Sequence, residues 1–180
     1  MITEAGHFAL TLALFIAVVQ ASLPLIGAHH RNLLWMSLDK STAIAQLLLI
    51  TFAFGSLTYS HVVSDFSVLN VVQNSHTMKP MLYKVAGVWG NHEGSLLLWV
   101  FILAAFGSAV ALFGNNLPPT LRARVLSVQA MISVGFYLFM LLTSNPFERV
   151  FPPALNGRGL NPLLQDPGLA FHPPFLYLGY

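Results

Sequence analysis

SLLLWVFILAAFGSAVALF, residues 95–113, runs for nineteen positions without a charged side chain. An α-helix rises about 1.5 Å per residue, so some 20 apolar residues match the hydrocarbon core of a bilayer. Three further stretches have similar length and character: 8–27, 42–59 and 125–143. The second is the weakest, because Gln46 and Thr51 interrupt it. The first carries Pro24 near its end, where membrane helices tolerate a kink. Met1–His7 contains no Lys or Arg and no good cleavage site follows, so this stretch is expected to remain a span and not to act as a cleaved signal peptide. The fold class expected is an all-α polytopic membrane protein with four transmembrane helices and irregular outer-face loops.

Composition agrees. Apolar residues make up 56% of the 180 and charged residues 8%, against about 25% charged in a typical soluble domain. A water-soluble globule of this size could not cover its surface with so few charges. The net charge of +2 and the absence of a basic stripe speak against nucleic acid as a partner. With no cysteine in the sequence, these residues supply no disulfide, iron–sulfur cluster or CxxCH haem attachment site.

The short loop after the first span holds Arg31 and Lys40 with only Asp39; the one after the third holds Arg122 and Arg124 and no acid. Lys79, Lys84, Arg149 and Arg158 are spread over much longer segments. Positive density in the short loops reads as cytoplasmic. The N-terminus and the segments 60–94 and 144–180 then face outward. The chain reads as two helical hairpins with two outer loops, one domain or part of one. Segment 144–180 is punctuated by Asn145-Pro146, Pro152-Pro153, Asn161-Pro162, Asp166-Pro167-Gly168 and Pro173-Pro174, which fix turns and extended backbone. It is expected to be irregular, apart from a short turn over 162–165 capped by Asn161.

Most catalytic signatures fail. His92-Glu93 opens like a zinc-protease motif, but position 96 is Leu. Of seven histidines, five (His7, His61, His76, His92 and His172) fall on the proposed outer side. A neutral imidazole can ligate haem iron; an interfacial histidine satisfied by water or headgroups looks the same in sequence. His172 has the most suggestive setting. Pro173 is expected to hold it in extended backbone, and Phe171, Phe175 and Tyr177 could pack a flat macrocycle. Trp89, His92, Glu93 and Trp99 surround the start of the third span. They read either as a capped helix start with an aromatic belt or as the mouth of a site.

Five stretches carry a family resemblance: EAGHFALTLAL (4–14), DFSVLNV (65–71), VWGNHEGSLLLW (88–99), TSNPFERVFP (143–152) and GRGLNPLLQDPGLAFHPPFLYLGY (157–180). With these the chain resembles the N-terminal portion of the CcmF, CycK and NrfE family of cytochrome c-type biogenesis haem lyase subunits. A nitrite-reductase-specific paralogue shares many of the motifs. The resemblance implies a bacterial inner-membrane protein, or a mitochondrial inner-membrane one if organellar, with its N-terminus and His172 on the periplasmic side. It implies haem b delivered by a haem chaperone, held by two outer histidines flanking a WGxxWxWD-like segment, and joined to the CxxCH of apocytochrome c. The histidine of the HPPFLY motif falls on His172, with Phe171, Pro173, Phe175 and Tyr177 as the implied haem pocket. A second haem b is implied inside the membrane on two other histidines.

The tryptophan-rich segment, the second outer histidine and the intramembrane pair are not among these residues. The chain is therefore expected to be a fragment of a larger protein or one half of a split one, inactive as a lyase by itself and completed by a C-terminal part. Two other readings are a scaffold segment without haem contact and a transporter segment. The latter is disfavoured by spans without a central charge. A tag placed near His172 is expected to be accessible from the outer face in a tag-accessibility experiment; a result placing His172 in the cytoplasm would reverse the assignment.

Overall fold

The computed structural model describes residues 1–179. Its helices are α1 (Ile2–His30), α2 (Leu33–Met36), α3 (Leu38–Val62), α4 (Leu69–Asn74), α5 (Met81–Ala86), α6 (His92–Phe113), α7 (Pro119–Leu142) and α8 (Pro167–Gly179). A 3-10 turn at Pro162–Gln165 precedes α8, and the Asn161 side chain caps it by accepting from the Leu163 N–H at 3.0 Å. Four helical segments are long and apolar enough to cross a membrane: α1, α2 with α3 as Leu33–Val62, α6 and α7. They coincide with the four expected spans, and each extends beyond its apolar stretch, chiefly at the N-terminal end.

The C-terminal ends of α1 and α3 have a local cause. Arg31 and Ser64 adopt left-handed backbone, at φ 54° and 58°. In each case the next N–H reaches back over the end of the helix, Asn32 to Gly27 O at 2.9 Å and Asp65 to Ser60 O at 2.9 Å. This closes the last carbonyls in a Schellman-type turn. The Asn32 side chain then accepts from the Leu34 and Trp35 N–H groups and starts α2 at once. No glycine marks either stop, so neither end shows in the residue pattern.

The chain divides into two compact units. One comprises Ala9–Thr51 and Val100–Phe139, the bodies of the long helices. Its interior is not uniformly apolar. Gln46 donates to Gln20 Oε1 at 2.7 Å and accepts from the Tyr137 hydroxyl at 3.0 Å. Gln20 in turn donates to Leu126 O, and Ser127 donates to Gln20 O. The Gln46 that weakens the second span in sequence is therefore a buried junction of α1, α3 and α7, where hydrocarbon would leave a polar group unpaired. Gly107 brings α6 close to α7: a Cβ there would collide with the Gln129 side chain, which donates to Leu103 O. Buried Asp39 accepts from two guanidinium nitrogens of Arg122, Nε at 2.7 Å and Nη2 at 3.4 Å. Ion pairing thus neutralises one of the basic residues counted in the short loops.

The other unit comprises Met1–Phe8, Phe52–Trp99 and Met140–Tyr180. Here the two long loops are laced together by backbone hydrogen bonds. Leu69 N–H meets Glu148 O at 2.8 Å, Val150 N–H meets Ser67 O at 2.9 Å, and Arg158 N–H meets Val72 O at 2.7 Å. Phe66, Val68 and Val71 are buried beneath this seam with Ala154 against them. Arg149 adds bonds to Glu4, Asp65 and the Ser67 hydroxyl.

One expectation fails in this unit. Segment 144–180 is not irregular throughout, because 167–179 is α-helical across Pro173 and Pro174. His172 accordingly lies in a helix and not in extended backbone. Asp166-Pro167, read in sequence as a turn, is a helix start. Asp166 accepts from the Leu169 N–H at 3.2 Å, and Pro167 takes the first position, where a missing N–H costs nothing.

In the helix unit, a Gln46→Leu substitution is expected to leave the Tyr137 hydroxyl and Gln20 Oε1 without this partner. The expected loss is about 1–2 kcal/mol, measured by unfolding in detergent or bicelles. Unchanged stability would show that the network carries no weight.

Candidate functional site

The site is assembled from the WGNHEG loop and α8, all within the loop unit. Asn91 organises the loop. As the N-cap of α6 it accepts from the Gly94 N–H at 2.8 Å, meeting one of the orphan donors of a helix start. Its amide nitrogen donates to Gly87 O at 2.8 Å, and it exchanges amide hydrogen bonds with buried Asn70 at 2.8 and 3.2 Å. Gly94 is buried so tightly beneath this turn that a Cβ would overlap the Val88 carbonyl. The Ser95 hydroxyl donates to Trp89 O at 2.7 Å. With its backbone fixed, Trp89 stacks on Phe54 at 6.5 Å with 14° between the planes. Its indole N–H reaches Ala170 O on α8 at 2.7 Å.

That bond explains how α8 tolerates the second of its two prolines. In a helix the amide of residue i serves the carbonyl of residue i−4. Pro173 leaves Leu169 O without its amide and Pro174 leaves Ala170 O without one, each substitution costing about 3 kcal/mol in an ordinary helix interior. Ala170 is 4% exposed, so water is no easy substitute. The Trp89 indole takes the place of the absent amide at Ala170.

The helix presents two faces. Inward, Leu169, Ala170, Pro173 and Tyr177 line a cavity of about 420 Å³ closed by Trp89, Leu160 and Leu164, with His92 and Ser95 at its polar edge. Outward, Phe171, His172, Phe175 and Leu176 are exposed, Phe175 at 71%. The 3.6-residue period sets this division. The ligand and the four pocket residues expected from sequence are therefore split. Phe171 and Phe175 share the His172 face, while Pro173 and Tyr177 belong to the cavity on the other. Trp89 and His92 join that cavity. Glu93 instead lines a separate polar cleft of about 60 Å³ with Asn70, Ser144, Asn145 and Glu148. Trp99 lies half-buried on α6 and lines neither. The exposed His92 ring has Nδ1 3.3 Å from the Ser144 hydroxyl, and His7 Nε2 lies 3.3 Å from the Asn145 amide.

Sequence reasoning did not find Ala170, Asn70, Asn91 or Phe54. Asp166-Pro167 was the available signal for α8; nothing local signals a bond between residues 81 positions apart.

Electrostatics supports the loop scaffold. Burial raises Asp65, but hydrogen bonds from the Ser67 hydroxyl and N–H and the charge of Arg149 outweigh it and hold the carboxyl below its usual value. Burial pushes the Lys79 ammonium down to about 8, while it donates to Asn74 O and Tyr83 O.

Chemically, the outward face of α8 offers one accessible imidazole flanked by two phenyl rings and a leucine. Haem iron takes a neutral ring nitrogen as an axial ligand, and a flat apolar macrocycle matches such a surface, so the residues fit one side of a haem. Among the described residues, no three His, Asp or Glu side chains converge to hold a bare metal ion. His172 offers a single ligand.

Known proteins supply the wider context. The model of the cytochrome c assembly protein family matches residues 89–180, which include the WGNHEG loop and α8. The chain is 63% identical over 180 residues to the cytochrome c-type biogenesis protein CycK of Bradyrhizobium diazoefficiens, covering all of this chain and 27% of that one. It is 52% identical over 181 residues to CcmF of Pseudomonas aeruginosa, covering 28% of it. The probable biogenesis protein NrfE of Escherichia coli is 46% identical over 160 residues, 87% of this chain and 29% of that one. A solved structure titled cytochrome c heme lyase CcmF superposes with a TM-score of 0.85 at 25% identity, covering 99% of this chain and 28% of that one. The chain spans little more than a quarter of the length of these relatives. By the family match across the site and the whole-chain identity to CycK and CcmF, this chain belongs to the cytochrome c assembly protein family.

Proposed function

We propose that the chain forms one side of a haem-holding site in a cytochrome c maturation haem lyase. His172 is the axial ligand it contributes, and Phe171 and Phe175 lie against the macrocycle. The observation that carries this reading is the exposed imidazole at the centre of an apolar helical face whose opposite face is packed and pinned. A solvent-facing helix normally places polar residues there, and a contiguous exposed apolar patch marks a binding surface. Haem b, when bound, supplies the vinyl groups that are joined to the cysteines of CxxCH in apocytochrome c. The chain's own residues present the ligand, fix its direction and keep water from the macrocycle on this side.

Under this reading the site faces the periplasm from a bacterial inner membrane. A haem chaperone and apocytochrome c approach that face, and the remainder of the protein supplies the second iron ligand. Lyase activity is a property of the assembled protein and not of this segment alone. The match to CycK and CcmF relatives over the whole chain, against 87% for NrfE, supports general cytochrome c maturation over the nitrite-reductase branch.

The test is haem content and absorption of the full-length protein with His172 replaced. His172→Ala is expected to lower haem content and alter the Soret and α bands, with imidazole in the buffer restoring part of the signal, while the protein still accumulates in the membrane. Wild-type haem content and an unaltered spectrum in His172→Ala would remove His172 from the site.

A further inference from the structure

His172 sits two residues beyond Ala170, about 200° around the helix. The Trp89 bond therefore grips the back of the helical turn whose front carries the imidazole. We propose that Trp89 is a positioning residue for His172: its indole N–H stands in for the amide that Pro174 lacks and so sets the direction of the ring. This role rests on the reading of His172 as an iron ligand.

Three observations support it. The donor is aimed at one specific carbonyl, the one Pro174 deprives of its amide, at 2.7 Å. The residue that carries this carbonyl is buried, Ala170 being 4% exposed, so water does not compete for it. Finally, the donor is itself immobilised: Phe54 stacks on the indole and Ser95 holds the Trp89 carbonyl. An axial ligand must be held to within about 0.5 Å and 10–20° of its working geometry by groups that are themselves locked. Trp89 meets that requirement from the cavity face of α8, opposite the exposed His172 face.

A double substitution separates this role from general packing. Trp89→Phe keeps an aromatic ring against Phe54 and removes the N–H. Pro174→Ala supplies an amide N–H to Ala170 O from within the helix; Pro173→Ala supplies one to Leu169 O instead. In the full-length protein, Trp89→Phe is expected to speed amide exchange over residues 167–179 by about tenfold, the effect of one lost hydrogen bond. It is also expected to shift the low-spin haem signal in electron paramagnetic resonance. Adding Pro174→Ala should restore both readouts, and adding Pro173→Ala should restore neither.

Equal rescue by the two proline variants, or wild-type exchange and spectrum in Trp89→Phe, would overturn the positioning role. If Trp89→Phe alone does not accumulate, the two double variants carry the comparison, and recovery only with Pro174→Ala is the expected result. His172→Ala run in parallel keeps the two readings apart. Unchanged haem in that variant sinks the ligand reading. Lost haem there, beside an unaffected Trp89→Phe, sinks the positioning role alone.

Discussion

A single carbonyl, that of Ala170, determines what the loop unit of this protein presents. Pro174 removes its amide partner, burial keeps water from it, and the Trp89 indole satisfies it. Without that donor the turn after Asp166 would lead into two helix-breaking prolines. With it, Phe171, His172, Phe175 and Leu176 line up along one exposed helical face. The requirement propagates backwards through the loop. Trp89 can reach Ala170 because Asn91 and Ser95 fix the backbone before α6, and because Gly94 lets that backbone pass under the Val88 carbonyl. The conspicuous residues of the WGNHEG loop are thus largely spent on building. The exposed face they support lies on the other side of α8.

The helix unit obeys the same rule in a drier setting. Polar side chains there are not surface residues strayed into a span. Gln20, Gln46 and Tyr137 satisfy one another, and Gln20 and Ser127 satisfy backbone carbonyls beyond the ordinary helical bonds. In a membrane each such group must find a protein partner, so their positions specify which helix faces which.

Much of the fold was legible in the sequence, for a physical reason. Crossing a bilayer requires a continuous apolar stretch of fixed length, and that requirement is local. The four spans and the Asn161-capped turn followed from it and from cap chemistry. The helix ends did not, since Arg31 and Ser64 enter left-handed backbone without the glycine that normally announces it. Helix α8 does not show in the sequence, where Pro173-Pro174 has the character of a helix breaker and Asp166-Pro167 that of a turn. The compensating donor lies at Trp89, far away in sequence. The candidate site divides along the same line. Local chemistry points to His172, Phe171 and Phe175, but only three-dimensional packing separates their exposed face from Pro173 and Tyr177, which line a cavity on the opposite side of α8.

The most direct check is exchange of the Trp89 indole proton, followed by NMR on ¹⁵N-tryptophan-labelled full-length protein and assigned by Trp89→Phe. An indole N–H bonded to a buried carbonyl exchanges far more slowly than an exposed one. Retention of that proton in deuterated buffer, lost when Pro174→Ala hands the Ala170 carbonyl to the backbone, is the predicted result. Exchange at the rate of a free indole would contradict the account, because α8 would then have to cross its prolines without the bond on which the His172 face depends.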